Sequence, residues 1–193
     1  MAPLPRSPSV LSGAFVLLQP PSWRALQVVV FQYNPEALRH RIAIPEQHAG
    51  GGLLGSIARW KPAASVPETR ERIELELLYD AADDLEHPDV HPETVRLGLL
   101  PRLEALRAVA FPASLTGAAP VLLLLFGARR ALPVRVSALA IDEESFSPTL
   151  CPLRARARLE LEALLPRELP AGGPPDTTVQ EALRSITNAP APA

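Results

Sequence analysis

The chain has a single cysteine, Cys151, a single lysine, Lys61, and aromatics at only 5% of its 193 residues. A lone cysteine cannot close an intramolecular disulfide, so nothing calls for an oxidising compartment and a cytoplasmic protein is expected. With aromatics scarce and 47% of residues hydrophobic, the interior has to be built from Leu, Val, Ile and Ala. An excess of one charge is also missing. A formal net charge of -2 offers no basic field, so nucleic acid is excluded as a partner.

Long apolar runs are absent too. Residues 121–126 fall far short of the roughly 20 needed to cross a bilayer, and no direct membrane insertion is expected. The run at residues 10–18 is broken by Ser12 and Gly13, is preceded only by Arg6 and is followed by no small-x-small cleavage pattern, so it does not read as an export signal.

Catalytic motifs are missing in the same way. Gly50, Gly51 and Gly52 follow His48 as in an oxyanion loop, but no G-x-S-x-G nucleophile elbow exists, and no Gly-Lys-Ser/Thr makes them a phosphate loop. Cys151 lies between Leu150 and Pro152 with no histidine nearby, which suits an idle thiol rather than a nucleophile. His87, Asp89 and His91 alternate and, in an extended segment, would project to one side as candidate metal ligands. A structural zinc site wants four ligands and a catalytic one three plus water, so the segment reads as an exposed connection and no metal is expected. Asp80, Asp83, Asp84 and Glu86 have no partner at a defined spacing and read as solvated, or as complementing a helix N-terminus. Neither an enzyme nor a cofactor is expected.

What is present is a succession of strand patterns. Residues 13–18 form a first strand stopped by Pro20 and Pro21. Residues 26–31, apolar apart from Gln27, form a second that is expected to be buried on both faces. Asn34 and Pro35 end it, with Asn as cap and Pro at the first helical position of one turn at residues 36–39; residues 40–44 then resume an extended course. Residues 45–67 are a long Gly/Ala/Ser/Pro loop whose Leu53, Leu54, Ile57 and Trp60 give it something apolar to dock on a partner. Residues 71–80 alternate, with Ile73, Leu75, Leu77 and Tyr79 on one face and Arg72, Glu74 and Glu76 on the other. An amphipathic helix spans residues 92–110 through Val95, Leu99, Leu103, Leu106 and Ala110, with Pro101 bending or dividing it. Residues 121–126 and 132–141 read as a hairpin, and residues 153–164 put Arg154, Arg156, Arg158, Glu160 and Glu162 on one face. Residues 177–186 form a short terminal helix. The fold class is mainly β with one principal α-helix, an antiparallel β-sandwich or barrel. Residues 1–12 are a loose arm, 13–165 the domain and 166–193 a Pro/Ala-rich tail.

Several unusual segments occur in an order found in a known family. Phe31-Gln32-Tyr33-Asn34-Pro35-Glu36 follows the strand GAFVLL, Pro67-Glu68-Thr69 leads into IELELLYDAADDLE, and Gly98-Leu99-Leu100-Pro101-Arg102-Leu103-Glu104-Ala105-Leu106 ends at Phe111-Pro112. The hairpin PVLLLLFG…LPVRVSALAIDEESFSPTLCPLRARARLELEAL completes the set. In these segments the chain resembles the tube-type proteins of contractile injection systems, which are phage-tail-like particles. Within that group it is similar to the N-terminal domain of the baseplate-adaptor family that often carries a LysM module. The resemblance covers residues 13 to about 165. It implies the phage tail-tube type of β fold and a homo-oligomeric, hexameric ring at the junction of the inner tube with the spike and baseplate. Its implied partners are the inner tube protein, the spike protein and baseplate subunits of one bacterial injection particle. The shared segments at residues 31–36 and 142–152 are expected to matter for fold or ring contacts, and no catalytic residue comes with the family. Residues 166–193 are too few for a LysM domain.

The expected subunit contacts are therefore Phe31, Tyr33, Asn34, Pro35 and Glu36, the loop residues Leu53, Leu54, Ile57 and Trp60, and the strand arginines Arg154, Arg156 and Arg158. The alternative is a free-standing β-barrel binding a small apolar ligand, with Trp23, Trp60 and residues 53–57 lining its mouth. A metal-dependent hydrolase built on His87, Asp89 and His91 is the third and least supported reading.

Overall fold

The computed structural model describes residues 12–43, 69–112, 119–127, 130–170 and 173–187. Seven strands are present: β1 (Ala14–Gln19), β2 (Arg24–Val30), β3 (Leu38–Ala43), β4 (Arg70–Asp80), β5 (Val121–Leu125), β6 (Ala131–Phe146) and β7 (Pro152–Ala163). The helices are α1 (Ala82–Glu86), α2 (Pro92–Leu97), α3 (Leu100–Ala110) and α4 (Asp176–Thr187), with a 3₁₀ turn at Pro166–Glu168. All seven strands join one antiparallel sheet in the order β2-β1-β5-β6-β7-β4-β3. The fold is thus mainly antiparallel β, as the strand patterns require, but the sheet is open rather than closed into a barrel, and β2 and β3 are its two ends.

The apolar content of each strand decides what covers it. β1 and β5, AFVLLQ and VLLLL, are buried on both faces and therefore need a layer on each side. On one face Phe15, Leu17, Leu122 and Leu124 join Ile73, Leu75, Leu77, Leu159 and Leu161 in a core closed by Leu99, Leu103, Leu106 and Val109 at α3. On the other, Ala14, Val16, Leu18, Val121, Leu123 and Leu125 pack with Trp23 and with Val179, Ala182 and Leu183 of α4. β2 departs from expectation. It is an edge strand, and although Val29 and Phe31 are buried, Leu26 and Val28 remain 44% and 40% exposed; Val28 lies opposite Val16 on the α4 face, and Leu26 falls at the bulge between the Leu17–Gln27 and Leu18–Ala25 pairs.

The principal helix is divided. α2 ends at Gly98, whose φ of +58° reverses the chain, and Pro101 then opens α3 in its first turn. The break swings α2 off the core, so Val95 is 52% exposed while Leu99, Leu103 and Leu106 are fully buried. Gly98 also lies against the β6–β7 hairpin. The Leu99 N–H donates to Pro152 O at 2.9 Å, and a Cβ on Gly98 would fall 2.4 Å from the same oxygen. No helical turn forms at residues 36–39. After three bends the chain enters β3 at Leu38, because Asn34 is engaged elsewhere and does not cap a helix.

Asp84 of α1 is the fully buried charge of this small helical cluster. Its Oδ2 accepts hydrogen bonds from Thr94 Oγ1 of α2 and Arg102 Nη2 of α3, both at 2.8 Å, and His91 Nδ1 lies 4.0 Å from its Oδ1. One carboxylate thus joins three helices; of the two readings the sequence offered, solvated or complementing a helix N-terminus, Asp84 is not solvated but does lie in the first turn of α1. Removing it strands a guanidinium that is two-thirds buried.

Two outcomes follow for urea unfolding of the purified chain. Gly98→Ala should lower stability by about 3 kcal/mol, since it adds a left-handed strain to a backbone clash. Asp84→Ala should cost about 3 kcal/mol, and the double substitution Asp84→Leu/Arg102→Met should recover part of that loss; equal losses in the single and double variants would show that the pairing is not the cause.

Candidate assembly surface

The sheet face that α4 covers over β1 and β5 has no helix over β7, β4 and β3 among the described residues. There the period-two alternation of each strand sends charged side chains outward while Ala155, Ala157, Leu159, Leu161 and the apolar residues of β4 enter the core. Arg154, Arg156, Arg158, Glu160 and Glu162 of β7 stand between Arg72, Glu74, Glu76 and Asp80 of β4 on one side and Arg135, Asp142 and Glu144 of β6 on the other. Arg39 and Arg41 of β3 complete the surface opposite Glu74 and Arg72. Asp142 and Glu144 belong to a strand that runs five residues past the end its apolar pattern suggested; the acids at alternate positions, facing alternate arginines of β7, were the available signal.

The wall is a network rather than a row of separate pairs. Arg158 reaches Glu76 at 3.0 Å and Asp142 at 2.8 Å and so spans three strands. Arg154 places Nε and Nη2 at 2.9 and 2.7 Å from one oxygen of Asp80. Glu162 takes Arg135 at 3.1 Å and Arg72 at 3.7 Å, and Arg156 meets Glu144 at 3.4 Å. Exposed pairs of this kind contribute below about 1 kcal/mol each, so the wall matters more for what it presents than for what it stabilises. Glu160 sits opposite Glu74, and neither Glu160 nor Arg39 has an oppositely charged partner among the described residues. Both line an open groove of about 730 Å³ between the wall and the segment at residues 33–39, together with Tyr33, Glu36 and Arg156.

That segment is the FQYNPE stretch, and its first four side chains each have a definite contact. Phe31 is 1% exposed and meets Phe15 edge-on with ring centroids 5.1 Å apart, so it serves the core and not a surface contact. Gln32 donates to Asp80 O at 2.7 Å and accepts from Asp80 N at 3.1 Å, behaving as a substitute strand beside the end of β4. Asn34 Oδ1 accepts the Gly13 N–H at 2.7 Å. Tyr33 Oη donates to Asp83 Oδ2 at 3.1 Å, and its pKa is raised first by desolvation and then by that carboxylate. Tyr33, Asn34 and Glu36 are exposed, Pro35 is half-buried, and Arg154, Arg156 and Arg158 point outward as expected. Leu53, Leu54, Ile57 and Trp60 lie outside the described residues. His87, Asp89 and His91 do not form an extended segment. The His91 N–H bonds back to His87 O at 3.1 Å in a turn, and among the described residues no three His, Cys, Asp or Glu side chains are grouped to hold a metal. Nor is any helix among them long and apolar enough to cross a membrane.

Asp80 links the wall to the FQYNPE segment. Desolvation is the largest single influence on its carboxyl and pushes the pKa up, but the Ala82 N–H and the Arg154 guanidinium together outweigh it and hold the group below its ordinary value. A depressed folded-state pKa stabilises the fold above the usual carboxylate value of about 4, and that contribution is lost as pH falls through the depressed one. Asp80→Asn is therefore expected to lower stability at pH 7, with the gap to the parent chain closing below about pH 4. Urea midpoints at several pH values read this directly, and a gap that stays constant with pH would remove Asp80 as its source.

Compared with known proteins, the chain matches no family model and no curated protein sequence.

Proposed function

We propose that this chain is a non-enzymatic structural subunit of a contractile injection system, forming a hexameric ring at the junction of the inner tube with the spike and baseplate. The observation that carries the reading is the open seven-stranded antiparallel sheet, whose end strands β2 and β3 have no outer neighbour among the described residues. Unpaired strand edges are natural templates for another chain, and a lone domain gains little from leaving two of them free. The ordered segments that resemble the tube-type proteins support the same conclusion, as does a broad ion-paired face with no catalytic grouping on it. On this reading the protein works in the cytoplasm, within an assembling particle, through shape and contact. No observation favours the small-ligand barrel: the sheet is open, and Trp23, expected at the barrel's mouth, is packed into the core with α4.

Electron microscopy of particles purified from cells producing this chain with its neighbouring gene products tests the reading, with mass spectrometry of the same fractions. The chain should co-purify with sheath and tube proteins and appear as a ring near the spike. A chain absent from every particle fraction, and monomeric by light scattering at high concentration, would remove the proposal.

A further inference from the structure

Besides the outer side of β2, two stretches of strand have one side without a strand partner among the described residues. β3 pairs only with β4, from Leu38 opposite Leu75 to Ala43 opposite Arg70. β6 pairs with β5 only from Ala131 to Val134, so its residues 135–146 have β7 on one side and no strand on the other. The first edge is basic, with Arg39, His40 and Arg41; the second is acidic, with Asp142, Glu143 and Glu144.

The geometry points to a seam between copies in which β3 of one chain adds antiparallel to the free side of β6 of the next, with Arg41 opposite Asp142. One register satisfies the whole run. Arg39 then faces Glu144, His40 faces Glu143 and Ile42 faces Ile141. The faces agree as well. Arg39 and Arg41 stand on the ion-paired face beside Glu74 and Arg72, and Asp142 and Glu144 stand on that same face beside Arg156 and Arg154, while His40 and Glu143 lie on the opposite one. Directly opposed residues of an antiparallel pair share a face, so the charged wall would run unbroken from copy to copy. Ile42, 66% exposed in the single chain, gains an apolar neighbour.

The topology also fixes the symmetry. From β6 to β3 the sheet makes three antiparallel steps, so within a chain β3 already runs opposite to β6. A neighbour's β3 added antiparallel to β6 leaves that neighbour in the same orientation, which generates a head-to-tail series that can close into a ring. The alternative, β3 against β3 across a two-fold axis, sets arginines against arginines and is disfavoured. This seam deepens the ring reading and rests on it.

The test is an intermolecular disulfide in the full chain with Cys151→Ser as background. Within one chain β3 and β6 are three strand spacings apart, about 14 Å, which no disulfide spans. Arg39→Cys with Glu144→Cys is expected to give, on mild oxidation, a ladder of covalent oligomers on a non-reducing gel, whereas Arg39→Cys with Glu160→Cys should give none. Arg39→Glu/Arg41→Glu should weaken self-association by about tenfold or more in sedimentation, with the far-ultraviolet circular dichroism unchanged. Assembly that persists without the 39–144 crosslink, or that ignores the charge reversal, overturns the seam and leaves the ring standing. A chain that stays monomeric and gives no ladder overturns both.

Discussion

The exclusion of water from both faces of β1 and β5 is the constraint on which the other features depend. Five or six consecutive apolar residues cannot tolerate a wetted side, and each buried Leu or Val contributes about 2 kcal/mol relative to exposure. Two layers are therefore required, and the chain provides them from separate places: α3 midway along the sequence and α4 near its end. α4 covers only that half of its face. Beyond it β7 and β4 alternate, so they bury one side in the α3 core and leave the other to charge, while β3 at the sheet's end is exposed on both sides after Leu38. A single sheet face thus passes from an oily half to an ionic half, and the division was written into the strands before any helix reached it.

The second organising element is the crossing from β2 to β3. It connects strands at opposite ends of the sheet, and Gln32 and Asn34 tie it on the way to Asp80 and Gly13. Phe31 is held beneath by Phe15, with Gly13 kept small because a Cβ there would lie 2.6 Å from the Phe31 ring. Core, sheet end and charged face are in this way joined within a few residues.

Much of this was legible from periodicity. Alternation over residues 71–80 and 153–164 announces a half-buried pair of strands, and their charged positions fall on one face because the cross-strand register keeps Glu76 opposite Arg158 and Asp80 opposite Arg154. What was not legible depends on tertiary context. A β2 rich in Val and Leu looks central, but edge position is set by sheet order, which no local pattern records. Asn34-Pro35 is a sound helix-start signal that lost to a longer-range demand, the Gly13 N–H. Asp84 read as one acid among several, solvated or at a helix N-terminus, and its burial was hidden because its partners, Thr94 and Arg102, lie 10 and 18 residues away, on helices whose docking only the fold supplies. The apolar loop residues thought to mediate contact fall outside the described part of the chain, whereas the strand arginines stand where alternation put them.

The near-absence of lysine acquires a meaning in this light. Every cation on the ionic face is a guanidinium, planar and charged at any pH a cell reaches, and Lys61 lies outside the described residues. Acetylating enzymes and amine-seeking reagents find no ε-amine on the sheet. Alkali leaves its cations untouched, so its balance of charge can be shifted from the acidic direction alone, by protonating the carboxylates.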